Sequence, residues 1–576
     1  MTPSRKEYFE RARNVRALCM ECMEANSSMG EMAEGRLTIG SDSGNIGSEL
    51  TRPSTRSSFC YFPGVNITPM RTKQSLTDAE REFFALVQKT GVANPYGKIR
   101  AELESQVAKY CSDQTFEPGI ERATKAVKDR LAALEAQGVR RIEMLSGKDR
   151  ALLESAYLFD FFYEFRKKFD EHIVEQLAAG EKTVKLSWAG DGIAHLASRG
   201  FGPERITRAF ELGYQFRRAF YFINHGLAGR SPVMRKLKFD IWNNIFTHNV
   251  SLYERYLWNR MEDFSTLLLG ETGTGKGAAA GAIGRAGYIA FNLKKQRFEE
   301  SFTKSFISIN LSSFPETLIE SELFGHKKGA FTGAVENHVG MFAQCGPHGT
   351  LLLDEIGEIP HHIQIKLLHV LQDREFNPVG SHKAESFHGR VIAATNRPID
   401  DLRKRGAFRD DFYYRLSSDI IVMPPLRRRL REDPAELDTL LNFLVTRIIG
   451  KPSPELCRMV KDVIGKNLGM DYPWYGNVRE LEQCVRRVLL KRVYEGKNGA
   501  ETDDIFSQLA HAMESGDIPA QRLLSGYCVL LYRRYGTYEE VARRTRLDRR
   551  TVAKYVSDWT EEDNGTKTQD FQTMSK

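Results

Sequence analysis

The rhythm of apolar and polar positions changes several times along the chain. Met1 to about Ala25 carries charge throughout on a helical repeat and predicts one amphipathic helix. Asn26 to Ser58 is rich in Ser, Gly and Thr, with too little apolar surface to offset ordering, and predicts a flexible linker. From Thr77 to about Gly226 apolar residues recur at spacings of three and four, as in "AVKDRLAALEAQ" and "YLFDFFYEFRKKF". That spacing predicts helices. The aromatic stripe Phe159, Phe161, Phe162, Phe165 and Phe169 falls inside this stretch and predicts core packing.

After Gly229 short apolar runs alternate with helical stretches: Thr266–Leu269, Phe306–Ile309, Thr350–Leu353, Val391–Ala394 and Ile420–Met423. Such alternation predicts a mostly parallel sheet with crossover helices. Pro424 to about Gly499 is helical again, and a last helical cluster runs from about Gln521 to Trp559. The polar tail beyond Glu561 predicts a loose end. The division that follows is 1–228 (helical, with 26–58 flexible), 229–425 (α/β), 426–500 (helical), 515–560 (helical) and the tail 561–576.

The length of 576 residues suits several domains. With 41% hydrophobic and 27% charged residues, a wholly disordered chain is excluded. Eight Cys exclude a disulfide scaffold and suit a reducing compartment. Cys19 and Cys22 form a lone "CMEC" with no second pair or nearby His, which argues against a metal site. No apolar run is long enough to span a bilayer, and no signal-like apolar segment opens the chain. The expectation is a soluble, cytoplasmic protein with no membrane partner. A net charge of +8 permits nucleic-acid binding without demanding it.

Chemistry enters at "GETGTGKG", Gly270, Glu271, Thr272, Gly273, Thr274, Gly275, Lys276 and Gly277. It follows an apolar strand and opens a small-residue helix. Glycines let consecutive backbone N–H groups turn inward around phosphate oxygens, and the helix N-terminus adds its positive end. Lys276 reaches the terminal phosphates in this reading. Gly277 stands where a hydroxyl would ordinarily meet Mg²⁺. Downstream, "GTLLLDEIGEI" ends an apolar strand with Asp354 and Glu355. Asp354 suits Mg²⁺ through water, and Glu355 suits polarisation of the attacking water. "VIAATNRP" ends another strand with Thr395 and Asn396, the latter a γ-phosphate sensor in this reading. Arg409 and Arg415, in "FRDDFYYRL", are either surface ion-pair partners of Asp410 and Asp411 or arginine fingers for a neighbouring subunit. Together these residues read as a nucleoside triphosphate and Mg²⁺ site, and the resemblance below makes the nucleotide ATP.

"ESELFGHKKGAFTGA", Glu320 to Ala334, resembles the signature of bacterial enhancer-binding activators of sigma-54 RNA polymerase, which are AAA+ ATPases. The resemblance covers roughly Gly229 to Arg487. It implies an α/β P-loop ATPase core with a helical lid. The loop Gly329, Ala330, Phe331, Thr332, Gly333, Ala334 would touch sigma-54, with Phe331 and Thr332 at its tip. It implies that Asn310 couples Glu355 to nucleotide state, that Arg409 and Arg415 act in trans, and that Arg479 of "GNVREL" senses nucleotide in cis. It also implies a hexameric ring. The alternative for Phe331 is packing into its own domain. The chain departs from the family at Gly277, at Tyr475 in place of Pro, and in the extra segment "FNLKKQRFEESFTKS".

"GTYEEVARRTRLDRRTVAKYVSDW" reads as a helix-turn-helix, with helices about Tyr538–Arg544 and Arg549–Val556. Val541, Ala542, Leu547, Val552 and Tyr555 fall at packing positions. Asp548 can cap the second helix, and Arg549, Arg550 and Lys554 face DNA in this reading. Thr545 and Arg546 replace the usual apolar residue and Gly. The layout of sensor, ATPase and DNA reader resembles the family's and makes 1–228 the regulatory part. The expected partners are sigma-54 polymerase, enhancer-type DNA and further copies of the chain. A competing reading is a DNA-binding regulator whose degenerate ATPase only sets oligomer state.

Overall fold

The alternation after Gly229 folds into a parallel sheet. The structure, a computed structural model, describes residues 74–111, 119–469, 471–496 and 518–559, with 509, 512, 513 and 516. The expected N-terminal amphipathic helix, the 26–58 linker, Cys19 and Cys22, and the tail beyond 561 lie outside the described residues. Two compact units divide at Arg492 and Val493.

In the first unit the strands run β1 Thr266–Leu269, β2 Phe291–Asn292, β3 Arg297–Phe298, β4 Phe306–Asn310, β5 Thr350–Asp354, β6 Glu375–Phe376, β7 Glu385–Ser386, β8 Arg390–Thr395 and β9 Asp419–Val422. Five of them form one sheet in the order β4-β5-β8-β1-β9. Every neighbouring pair in it is parallel. Each of the five expected strands matches one of these within a residue or so. β2–β3 and β6–β7 are separate antiparallel hairpins.

Parallel strands are buried on both faces, and β8 is buried along its whole length. One face packs on the helices Glu316–Phe324 and His361–Asp373, through Leu267, Leu351, Leu353, Ile363 and Leu367. The other packs on Pro232–Phe246 and the phosphate-loop helix Lys276–Arg285, through Leu268, Leu352, Ile392, Ala279 and Ile283. The phosphate loop therefore leaves the C-terminal end of a central strand. That end of an open parallel sheet is where such folds place ligands.

The N-terminal region is helical: Asp78–Val92, Lys98–Ala108, Ile120–Ala136, Gly147–Ala179, Ala189–Ser198 and Pro203–Gly226. The first opens on a capping box in which Thr77 accepts from Glu80 N and Glu80 reaches back to Thr77 N. Phe159, Phe161, Phe165 and Phe169 are buried, as the stripe predicted, while Phe162 is only half-buried. The core they belong to also takes in Ile289, Phe291, Phe298 and Phe302, from the extra segment and the residues beside it. That segment is the β2–β3 hairpin, and it finishes the helical core rather than looping into solvent. The helix Pro203–Gly226 serves both cores: Phe210 and Tyr214 face the bundle, while Ala219 and Ile223 face the sheet.

The same helix holds the far end of the phosphate-loop helix. Arg218 donates to the carbonyls of Arg285 (2.6 Å) and Gly287 (2.8 Å), and Gln215 Nε2 donates to Ala286 O (2.9 Å). A helix ends with carbonyls that have no partner within it, and a cation there also meets the negative end of its dipole.

Four helices follow the sheet: Leu426–Glu432, Glu436–Ile449, Pro454–Asn467 and Asn477–Lys491. Arg429 and Glu436 form a buried ion pair (2.7 Å). Glu436 also accepts from Ser231 N (2.9 Å), which ties these helices to the start of Pro232–Phe246.

The second unit contains Ala520–Tyr535, Tyr538–Thr545 and a helix over 549–559. Cys528, Val529, Val541, Val552, Val556 and Trp559 form its core. Asp548 accepts from the amides of Arg550 (2.9 Å) and Thr551 (3.0 Å), the cap the sequence predicted. Arg546 takes the left-handed conformation (φ 57°) that Gly adopts more readily.

Candidate functional site

The phosphate loop bends through positive φ at Gly270, Gly273 and Gly275. At two of these a side chain would also collide. A Cβ on Gly273 would lie 2.2 Å from Gly476 O, and one on Gly270 would lie 2.8 Å from Met423 Cβ. Lys276 opens the helix, so the amides of that first turn have no acceptor within it. Glycine-bent backbone leading into free helix amides suits a phosphate. Gly277 is different: a Cβ there meets nothing within 4 Å. Space would admit a side chain at that position, so packing does not explain the glycine.

Lys276 Nζ donates to Gly270 O (2.8 Å) and Glu271 O (3.3 Å). Burial lowers its pKa, the carboxylates of Glu355 and Asp354 raise it, and Arg479 lowers it again. These are the charges the sequence gathered around this lysine. Asp354 ends β5 and accepts from Glu355 N (3.1 Å). Glu355 stands in the left-handed conformation (φ 57°), which turns the chain sharply after the strand.

Asn396, at the end of β8, bridges the two halves of the site. Its Nδ2 donates to Thr272 Oγ1 (2.8 Å), and its amide faces Glu355 Oε2 (3.4 Å). Thr274 Oγ1 donates to Glu271 O (2.8 Å) and stiffens the loop from inside.

Three expected residues have partners within this chain, and for Arg409 the partner is one of the two acids the sequence offered. Asn310 lies opposite Asp354 in the β4–β5 register, but its amide oxygen accepts from Ser312 N (3.0 Å) and Ser312 Oγ (2.8 Å), capping the turn after β4. Its hydrogen bond is with that turn rather than with Glu355. Arg409 pairs in bidentate fashion with Asp411 (3.0 and 2.7 Å). Arg415 donates through Nε (2.9 Å) and Nη2 (2.7 Å) to Leu371 O, near the end of His361–Asp373.

Sequence reasoning missed the residues that fasten the helical region after the sheet to the phosphate loop. Asn477 is fully buried, and its Nδ2 donates to Glu271 Oε2 (3.1 Å) and Thr272 O (3.0 Å). Val478 N donates to Gly273 O (3.1 Å), and Arg427 pairs with Glu271 (2.8 Å). That ion pair holds the Glu271 carboxyl below its ordinary pKa. Asn477 lies inside the quoted "GNVREL", beside Arg479. The residue type was the available signal, since Asn tolerates better than most residues the left-handed backbone it takes here (φ 54°).

The loop Gly329, Ala330, Phe331, Thr332, Gly333, Ala334 is a tight turn closed by Gly329 N donating to Ala334 O (2.8 Å). Both glycines have positive φ (80° and 103°). Ala334 is buried and Thr332 exposed. Phe331 is 37% exposed, its ring edge against His326 (4.9 Å between centroids). It is therefore neither wholly in solvent nor in a core. Arg549, Arg550 and Lys554 are exposed, with Arg549 paired to Glu539 (2.9 Å).

Among the described residues no helix is long and apolar enough to cross a membrane. Residues 248–421 match the family described as the sigma-54 interaction domain. The chain is 37% identical over 319 residues to a Nif-specific regulatory protein of Azotobacter vinelandii, covering 55% of this chain and 53% of that one. It is 41% identical over 228 residues to the regulatory protein AtoC of Escherichia coli, covering 39% and 45%. It is 40% identical over 250 residues to the transcriptional regulatory protein GlrR of the same species, covering 41% and 52%. The chain thus spans about half the length of the curated relatives it matches. Over its central domain the chain is similar to sigma-54-dependent enhancer-binding activators.

Proposed function

We propose that the chain is a cytoplasmic, DNA-bound transcriptional activator that spends ATP to remodel the closed complex of sigma-54 polymerase. The observation that carries this is the polar chain Thr272–Asn396–Glu355. It connects the phosphate loop to the carboxylate best placed to polarise water, while the sigma-54 signature loop stands exposed in the same domain.

The residues fit ATP and Mg²⁺. The glycine-bent loop and the first amides of Lys276–Arg285 would hold the phosphates, with Lys276 against the terminal ones. Asp354 would hold Mg²⁺, which neutralises phosphate charge when bound. Glu355 orients and polarises the attacking water, and Asn396 reports the terminal phosphate to it. Asn477, Val478 and Arg427 transmit loop movement to the lid helices, and Arg479 lies close enough to Lys276 to sense the same charge. Arg409 is half-buried on a short tether of its own, Asp411, and suits a finger offered to a neighbouring copy in a hexameric ring. Asn310 reads β5 through the strand register. Phe331 and Thr332 carry the result to sigma-54.

Arg549, Arg550 and Lys554 then serve a helix-turn-helix formed by Tyr538–Thr545 and 549–559 on enhancer-type DNA. The region up to 228 regulates the motor through the Pro203–Gly226 helix. Gly277 favours a second reading, a DNA-bound regulator whose weak ATPase only sets oligomer state.

Promoter opening by sigma-54 polymerase, measured with and without hydrolysable ATP on a template carrying the upstream site, separates the two. Opening that needs hydrolysable ATP supports the activator, and absence of opening while ATP still changes oligomer size supports the second reading.

A further inference from the structure

A groove of about 540 Å³ runs between the helices Ile120–Ala136, Gly147–Ala179 and Ala189–Ser198, remote in sequence from every phosphate-site residue. A volume of that size suits a small organic molecule. Its lining is charged, and most of the charge is already matched. Lys128 pairs with Glu164, Lys168 lies 3.7 Å from Asp191, and Arg199 lies 3.4 Å from Glu135.

Asp160 is left over. It lines the groove but is only 5% exposed, and its Oδ1 meets no donor among the described residues. Beside it His195 Nε2 lies 3.3 Å from Asp160 Oδ2, at an angle that closes no hydrogen bond, and it too is buried without a partner. The His195 ring is wedged against Phe161 (6.2 Å) and Phe165 (5.7 Å), so it has little room to turn and satisfy either atom. A buried carboxylate oxygen with no donor is costly, and native structures supply one from protein, water or ligand.

We propose that this groove binds a small organic cation that donates N–H bonds, a protonated amine, amidine or guanidine, with Asp160 as its charge partner. The sign follows from the pairing: with the three rim pairs matched, the Asp160 carboxylate is the one full charge of the lining without an ion-pair partner other than His195. N–H donation follows from the orphan oxygen. Leu131, Ala132 and Phe165 line the same groove and supply apolar contact for the ligand's carbon frame. The inference needs nothing from the ATPase reading, because it rests on helices outside that site.

Isothermal titration of the full chain with putrescine, agmatine and benzamidine tests it, with tetramethylammonium as a cation that has no N–H. At least one N–H donor should bind one to one, tenfold or more tighter than tetramethylammonium. Asp160→Asn should weaken that binding at least tenfold, and Asp191→Asn, on the matched rim, should change it less than twofold. Should Asp160→Asn fail to fold, amide exchange of the wild type with the bound probe decides. Protection confined to 120–136, 147–179 and 189–198 supports the site. Equal binding of all four cations, undiminished binding by a folded Asp160→Asn, no binding, or protection elsewhere overturns it and leaves Asp160 and His195 as an ion pair only.

Discussion

Phe291 stacks on Phe210 with ring centroids 4.6 Å apart and planes 6° from parallel. One ring comes from the hairpin inserted after the phosphate-loop helix, the other from the helix that joins the N-terminal bundle to the sheet. Tyr214 and Phe298 repeat the arrangement one turn further along (4.0 Å). Glu211, between them on that helix, accepts from Phe291 N (3.1 Å) and the Tyr288 hydroxyl (2.9 Å). The hairpin is thus a structural part of the N-terminal bundle.

Phe291→Ala should therefore destabilise the first unit by about 3 kcal/mol, in the range for removing a buried aromatic ring. Its denaturant midpoint should fall, and the second unit should keep its own. A loss below about 1 kcal/mol would mean that the hairpin merely rests on the bundle.

Two substitutions at the phosphate site should fail differently. Lys276→Ala should weaken ATP binding, because the charge lost is the one set against the phosphates. Glu355→Gln should bind ATP normally and lower turnover by roughly two to four orders of magnitude, the range for losing a positioned base. Equilibrium binding of a fluorescent ATP analogue, alongside steady-state phosphate release, distinguishes them. Normal turnover by Glu355→Gln would move the base elsewhere.

The inner strands β1, β5 and β8 were legible because a strand buried on both faces is written as a short unbroken apolar run, and the more exposed edge strands β4 and β9 because β-branched and aromatic residues recur in them. The glycine loop and the strand ends were legible because phosphate chemistry restricts residue type at fixed spacing. The partners of Asn310 and Arg415 were not legible. Each bonds a backbone atom, the donor Ser312 N or the acceptor Leu371 O, and backbone partners leave no mark in a sequence. The hairpin was visible only as extra length. Its packing on Phe210 joins residues far apart in the chain, and no local rhythm encodes that. Asp160 sits in a helical run that also carries exposed charges, and only the fold buries it.

His172 sets a pH dependence. It is 2% exposed with neither ring nitrogen bonded, among Tyr214, Phe298, Arg218 and Glu175. Burial, and then the Arg218 charge, lower its pKa to about 4. The unfolded chain takes up this proton below about pH 6.5, whereas the folded chain resists until about pH 4. Its share of stability is present above that window, falls as pH drops through it, and levels off below, for a total of up to roughly 3 kcal/mol. Urea titrations at pH 7 and pH 5 should show that slope, and His172→Gln should flatten it. An unchanged slope in the variant would assign the effect to other groups.

The arginines should separate by their partners. Arg415 satisfies Leu371 O twice over, so Arg415→Ala should cost about 1–2 kcal/mol of stability whatever else it does. Arg409 pairs only with half-exposed Asp411 in its own turn, so Arg409→Ala should cost little stability. If Arg409 acts on a neighbouring copy, Arg409→Ala should still lower turnover sharply. Mixing it with Lys276→Ala chains should then restore some activity, since one mixed interface joins an intact finger to an intact phosphate site. No recovery at any mixing ratio would mean that Arg409 acts within its own chain or that the enzyme works as a monomer.

Thr332 isolates the motor from its output. It is exposed between Phe331 and Gly333, on a turn held by the Gly329–Ala334 backbone bond and by the edge contact of Phe331 with His326. None of these contacts uses the threonine side chain, so Thr332→Ala should change stability by no more than a few tenths of a kcal/mol. No phosphate-site residue touches the loop tip either, so ATP hydrolysis should stay within about twofold of the parent. Capture of sigma-54 in the presence of a transition-state mimic of ATP should be abolished, and promoter opening with it. Hydrolysis and sigma-54 capture measured on one preparation decide the matter. Loss of both would make the turn a structural support of the ATPase, and retention of both would take the contact with sigma-54 away from this loop.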